Sequence, residues 1–559
     1  MTARFREYPV KLTRVPGRLM AARVALLACV LAAAPLYSVT PDEAGTPRAH
    51  PAAASRNIEL HAAGYVHMSK KTVVSLRGLA AAGGRAAGGH PSTAAATQPR
   101  PALASPATAV ARVSVAAAFA PILDANFDGL KSDGNRPPDP NAAASQTQIV
   151  EVVNNRLQVY TRNGASAGCP ADLNAFFGKQ PSESLFDPRV IYDNVNNRFT
   201  VTMGVSSSSP PPTVPHLPDV TLLRIAHSAV GDACGLWTEY SVEAETSVSG
   251  IPEGSFIDQP AIGQDRNAFL FGGENFTNNR TFISDVAFSY PKSCAYSDSC
   301  TTDFQVFRPP NYATPASSGG NPMIATAHSY FVATVPNVGY ELYRMDNSGD
   351  TNATIFTLQA SIASGQSVQP PTRDAAQPGT SNPVDLDART PANSTRITSS
   401  PTFDGTRIWF AHQVTVSNHP AVRYGAINPA DNTVTTNVAF HSASSDDFNP
   451  SIAVGLNGAS RTIFLNWAYT DLAAGIPVTD TVAAVTISAT DSPPPVNGKD
   501  TRLVVGGITN DSRFGDYSSV SVDPVNPAEV CAVTAQEYFD SATNGKWATR
   551  IGRFGAPGC

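Results

Sequence analysis

The sequence predicts an all-β fold, a β-propeller of six or seven four-stranded blades. Three observations carry that expectation. First, one short pattern recurs: Asp or Asn, often followed by Pro, then alternating residues and a turn rich in Asp, Asn and Gly. Its copies are Asp187-Pro188-Arg189-Val190-Ile191-Tyr192-Asp193, Asp258-Gln259-Pro260-Ala261-Ile262-Gly263-Gln264-Asp265, Asn449-Pro450-Ser451-Ile452-Ala453-Val454 and Asp516-Tyr517-Ser518-Ser519-Val520-Ser521-Val522-Asp523. Second, from about residue 119 onward, runs of Val, Ile, Phe, Tyr and Thr alternate with Asn/Asp/Gly/Pro turns, and no long helical periodicity interrupts them. Third, the hairpins repeat at a spacing of roughly 60 residues, as a sheet built over and over requires.

The chain begins with positive charge: Arg4, Arg6, Lys11, Arg14, Arg18 and Arg23 against Glu7. The apolar run Val24 to Val39 follows and ends in small residues. That order predicts a signal peptide over 1–40, or an uncleaved membrane anchor. The run is short of the ~20 apolar residues of a span. Residues 41–118 are dominated by Ala, Gly, Pro, Ser and Thr and predict a low-complexity linker, with a short ordered piece near Ile58 to Leu79. The propeller is assigned to 119–559.

Within it, Ile149 to Asn154 and Arg156 to Tyr160 make a first hairpin. Arg189 to Tyr192 with Arg198 to Met203 make a second. Ala268 to Gly273 with Phe282 to Tyr290 begin a third sheet, and Tyr330 to Thr334 with Tyr340 to Tyr343 a fourth. Thr402 to His412 with Arg423 to Ile427, Thr462 to Trp467 with Thr481 to Ile487, and Val520 to Tyr538 with Trp547 to Phe554 mark three more. The count falls to six if the first hairpin joins the last sheet to close the ring. A β-sandwich pair or a β-helix is the competing architecture.

Charge and cysteine usage narrow the setting. The net charge is −6, although residues 1–23 alone carry +5, so the rest of the chain carries about −11. No basic run is present to meet phosphates, which excludes nucleic acid as the expected partner. Cys29 lies in the leader. The six others favour disulfides in an exported chain that is secreted, periplasmic or held at the cell surface. Cys294–Cys300 would staple a short loop and Cys531–Cys559 the terminal sheet, which leaves Cys169–Cys234. Membrane contact is expected only through an uncleaved N-terminal segment.

Three stretches resemble secreted bacterial β-propeller proteins, a distantly sialidase-like and largely uncharacterised class. They are Phe127-Asp128-Gly129-Leu130 with Pro137-Pro138-Asp139-Pro140-Asn141, then Phe186-Asp187-Pro188-Arg189-Val190-Ile191-Tyr192-Asp193, and finally Gly515-Asp516-Tyr517-Ser518 with Glu537-Tyr538, Trp547 and Arg550. The chain departs from the class at Phe514, where Trp is usual, and at Ala532-Val533-Thr534-Ala535, where an aromatic strand is usual. The resemblance implies a propeller and export, and no established reaction. Sialidase chemistry needs arginines that clamp a carboxylate and a Tyr nucleophile activated by Glu. Arg189, Arg224, Arg396 and Arg550 are the candidate clamp, with Glu537, Tyr538 and Glu274 beside them. Ser348-Gly349-Asp350-Thr351-Asn352-Ala353-Thr354 is the nearest match to the sialidase Asp box, which staples a turn.

Asp187, Asp258, Asn449 and Asp516 recur once per unit. A ring of them at one mouth of the channel would hold calcium, a hard cation that takes oxygen ligands. The same residues also serve as hydrogen-bond acceptors in their own turns. Asp124-Ala125-Asn126-Phe127-Asp128-Gly129 mimics the start of a calcium loop, but Asn135 stands at its twelfth position. Trp409, Trp467 and Trp547 could stack on sugars or pack the core. The histidines, among them His216, show no ligand spacing. The function expected is binding of a glycan or protein surface. The alternatives are a sialidase-like glycoside hydrolase and a structural cell-envelope protein.

Overall fold

The computed structural model describes residues 55–83, 117–207, 220–244, 251, 255–297, 302–318, 327–366, 368–386, 396–509, 513–526, 529–543 and 545–559. The expected leader, most of the expected linker, Cys300 and His216 lie outside them. The described chain is all-β, with consecutive antiparallel meanders A (141–172), B (183–244), C (255–307), D (314–363), E (402–440), F (445–505) and G (519–555). Among the described residues, no helix is long and apolar enough to cross a membrane.

The first strands of the meanders are Asn141–Ala144, Glu183–Asp193, Ser255–Gln264, Thr314–Pro315, Thr402–Phe403, Ser445–Asn457 and Ser519–Val522. Each touches the next in chain order. Ser317, just past the D strand, bridges Thr402, and the G strand returns to touch the A strand. The first strands of A, B, C, E, F and G, with Ser317 and Ser318 after the D strand, line a cavity of about 210 Å³. Meander G has three strands of its own and takes its fourth, Ile122–Lys131, from the chain preceding meander A. That borrowed strand, and not the first hairpin, covers the edge an open sheet would expose.

The apolar faces pack between neighbouring meanders. Val150 and Val152 of A meet Val201, Met203 and Trp237 of B; Leu223 and Ile225 of B meet Phe269 and Phe271 of C. Trp409 and Tyr424 of E meet Leu465 and Trp467 of F, and Val533 and Ile551 of G meet Ile149 and Tyr160 of A. Each fully buried side chain of this kind contributes about 1.5–3 kcal/mol. All four tryptophans are buried, at 0–3% exposure, so of the two expected uses Trp409, Trp467 and Trp547 take core packing. Their indole N–H groups are also used: Trp409 donates to Asp404 at 2.9 Å and Trp467 to Asp447 at 2.8 Å.

Part of the segment expected as linker is ordered. Ser55–Leu60 adds to the outer edge of meander D. Gly64–Ser75 pairs with the last strands of both B and C, which makes one nine-stranded sheet of the two. The helix Leu76–Gly83 follows. The Ala/Gly-rich composition of the segment hides a short alternation: Gly64, Val66 and Met68 are buried, while Tyr65 is exposed.

Cys169–Cys234 ties meander A to the last strand of B, with Cα atoms 5.7 Å apart, and Cys531–Cys559 ties the C-terminus to G, with Cα atoms 5.1 Å apart. Cys294 is also disulfide-bonded.

Candidate functional site

A recurring backbone kink builds the entrance to the ring axis. Asp139-Pro140, Asp187-Pro188, Gln259-Pro260 and Asn449-Pro450 each place the residue before proline at positive φ, between 49° and 53°. Few side chains accept that region, and Asp and Asn do so most readily. At Gln259 and Asn449 the strand register shifts across the kink, as at a bulge. Asp516-Tyr517 holds the corresponding place ahead of meander G. The residue equivalent to Asp187 is therefore Gln259, and the expected Asp258 stands one position earlier. Asp139 belongs to the set although the repeat pattern did not include it. Its Asp-Pro step was the available signal.

These side chains meet. Carboxylate oxygens of Asp139, Asp187 and Asp516 lie within 4.8 Å of one another. Asp139 Oδ1 accepts the Asp516 amide at 2.7 Å, and Asp139 Oδ2 accepts Asn154 Nδ2 at 2.6 Å. Asn154 Oδ1 accepts the Asp187 amide at 2.9 Å, and Asp187 Oδ2 accepts the Gln259 amide at 3.1 Å. Gln259 Nε2 donates to Asp516 Oδ2 at 2.9 Å. Burial first, and neighbouring carboxylates second, hold Asp139 and Asp187 well above the usual carboxylate range. Glu537 is likewise pushed well up, chiefly by burial.

Beside this cluster lies a small polar pocket lined by Gln259, Arg396, Thr398, Gln413, Asn449 and Asp516, with Leu386 and Phe514 as its apolar walls. Gln259 Oε1, Gln413 Oε1 and Asn449 Oδ1 are buried without a hydrogen-bond partner. A third group stands across meander C. Asp258 pairs in register with Glu274, and Glu274 with Asp285. Arg396 forms an ion pair with Glu274. Burial, and then the Glu274 charge, push Asp285 up to about 7.

The candidate catalytic residues do not form one cluster: Arg189, Arg396 and Glu274 all act on the buried Tyr312 hydroxyl, and the others lie apart from it. The Arg189 guanidinium stacks 3.2 Å from the centre of the Tyr517 ring and donates from Nε to the Pro260 carbonyl at 3.1 Å. Arg224 is buried in meander B against Glu183 and Ser241. Glu537 faces the axis, but Tyr538 is its neighbour on one strand and so points to the opposite side; the Tyr538 hydroxyl donates to Asp128 at 3.3 Å. Arg550 also pairs with Asp128. No Tyr–Glu pair therefore forms at 537–538.

Asp124 and Asp128 correct a second expectation. Both lie on the strand Ile122–Lys131 and not in a loop, and four steps along the strand set their Cα atoms about 13 Å apart. Asp124 pairs with Arg553 instead. The Asp350 turn acts as a staple, with Asp350 Oδ1 accepting the amides of Asn352 and Ala353 at 2.8 and 3.0 Å. His227 and His412 are buried and held neutral, chiefly by burial.

No protein-family model and no curated protein sequence matches the chain. Similar solved structures include a subtype N10 neuraminidase-like protein of A/little yellow-shouldered bat/Guatemala/060/2010, at TM-score 0.32 and 8% identity, covering 66% of this chain and 100% of that one. Trypanosoma rangeli sialidase in complex with sialic acid is similar at TM-score 0.33 and 11% identity, covering 66% of this chain and 54% of that one. A mutant of NanB sialidase from Streptococcus pneumoniae is similar at TM-score 0.32 and 8% identity, covering 73% and 81%. The chain thus spans about half the length of the Trypanosoma rangeli structure.

Proposed function

We propose that the chain is an exported seven-bladed β-propeller, one blade per meander, that binds a glycan at its axial mouth without cleaving it. The observation that carries the reading is the set of three buried amide oxygens, on Gln259, Gln413 and Asn449, that have no donor. Each such group costs about 1–3 kcal/mol while unpaired. Sugar hydroxyls are donors that would satisfy such oxygens, and Phe514 and Leu386 stand beside them as apolar walls. Export agrees with disulfides at Cys169–Cys234 and Cys531–Cys559. The test is retention of the full chain on an oligosaccharide array, with Gln413→Ala in parallel. The reading expects binding that falls about tenfold in the variant, the worth of one good hydrogen bond. No retained glycan, or equal retention of the variant, would refute it.

One observation favours the glycoside hydrolase reading. Asp285, held up to about 7, stands beside Glu274, which Arg396 pairs. A carboxyl group that keeps its proton near neutral pH, beside a second carboxylate paired by arginine, matches the acid and base of glycoside hydrolysis. Release of the chromophore from aryl glycosides, sialosides included, that disappears in Glu274→Gln would establish this reading. A purely structural envelope protein would be inert in both assays.

A further inference from the structure

The axial entrance gathers more negative charge than its own cations balance. Asp139, Asp187 and Asp516 share one small volume. Glu537 is fully buried beside them. Its Oε2 accepts the Gly515 amide at 2.6 Å, and its Oε1 has no partner. A methyl group on Gly515 would lie 2.7 Å from Glu537 Oε2 and 3.4 Å from Asp139 Oδ1, so both acids face one spot. Of the four, Asp516 alone forms an ion pair among the described residues, with Arg513 at 2.9 Å.

Four acids held this way must keep protons or take up a cation, because isolated charge in a dry interior is costly. The Glu537 Oε1 atom is the telling one. It is a carboxylate oxygen out of reach of water and of every donor, which folding does not leave without a counterpart. Carboxylates are the ligands of hard divalent ions. Calcium at about 2.3–2.6 Å from each oxygen accommodates oxygens up to ~5 Å apart, and it tolerates irregular geometry better than magnesium does.

We propose that Asp139, Asp187 and Asp516 bind one calcium ion, with the buried Glu537 carboxyl as a further acid beside it. The three direct ligands come from the chain ahead of meander G, the chain ahead of meander A, and the first strand of meander B. The ion therefore sits at the seam where the last meander meets the first and ties three units together. The inference does not depend on the glycan reading, because its test contains no glycan.

The test is a calcium titration of the full chain after stripping with chelator, by calorimetry and by thermal melting. One ion per chain is expected, with a dissociation constant on the order of 0.1–1 mM, the range of extracellular calcium modules. The melting midpoint should rise with calcium. Asp187→Asn should weaken binding at least tenfold and, in chelator, melt no lower than the parent, because it removes a buried repelling charge while keeping an oxygen for the Gln259 amide. Asp128→Asn should bind as the parent does. Absence of calcium binding by the folded parent would overturn the proposal. So would equal binding by Asp187→Asn, or a variant that melts lower than the parent in chelator, which would assign Asp187 a purely structural role.

Discussion

The backbone amide of Asp516 donates to Asp139 Oδ1 at 2.7 Å across 377 positions of sequence. Ser519 Oγ accepts the Ala142 amide at 2.7 Å a few residues further along the same seam. Both bonds join the last meander to the first. They continue as a chain of side-chain-to-backbone bonds: Asn154 to Asp187, Asp187 to Gln259, Thr314 Oγ1 to the Ile397 carbonyl, and Ser518 Oγ to the Asn449 carbonyl. The polar entrance residues thus hold neighbouring meanders together.

Asn154 is an uncharged residue of the entrance. It joins Pro137, Asp139 and Asp187. Asn154→Ala leaves the buried Asp187 amide without an acceptor and should cost about 1–3 kcal/mol. Urea unfolding reads this directly, and an unchanged midpoint would show that the seam contributes nothing.

Gly515 has no room for a side chain. Gly515→Ala places Cβ against Glu537 and Asp139 and should destabilise by about 1–3 kcal/mol, the range of overpacking. It should also abolish the calcium-dependent rise in melting midpoint. A variant that still responds to calcium would place the ion elsewhere.

Two buried groups should give opposite pH slopes. His227 is held down to about 3, chiefly by burial, against about 6.5 when unfolded. Its neutral form stabilises the fold above pH ~6.5, and that contribution is lost as pH falls toward 3. Asp285 is held up to about 7, against about 3.9 when unfolded. Its protonated form stabilises the fold below pH ~3.9, and that contribution is lost as pH rises through 7. Relative to His227→Gln, the parent should therefore lose stability on acidification from 6.5. Relative to Asp285→Asn, it should lose stability between pH 4 and 7. Denaturant midpoints across that range check both signs.

Trp467 is a core residue with one polar task. Trp467→Phe removes the indole donor to Asp447 and should cost about 1–3 kcal/mol while leaving glycan retention unchanged. Lost retention in a variant that remains folded would reinstate tryptophan as a ligand contact.

Much of the ring was legible in the sequence because strand runs and Asp-Pro steps announce themselves locally. Each expected hairpin falls within a meander. The entrance set was legible only in part. Four of its positions share a residue at positive φ before proline, and Gln259 and Asn449 hold that place without a carboxylate. Expecting an acid there selected Asp258 over Gln259, and Asp139 was passed over although its Asp-Pro step fits the pattern. Adjacency also misled: Glu537 and Tyr538 are neighbours in sequence, and the pleat sends them to opposite faces. The strands Gly64–Ser75 and Ile122–Lys131 complete sheets far along the chain. Pairing at that range leaves no local signature.

If the axial mouth is the working surface, hydrogen–deuterium exchange of the full chain with a retained oligosaccharide should slow at 257–260, 396–398, 413 and 514–516 and leave the outer strands unchanged. Protection confined to the outer strands, with the mouth unaffected, would contradict that role.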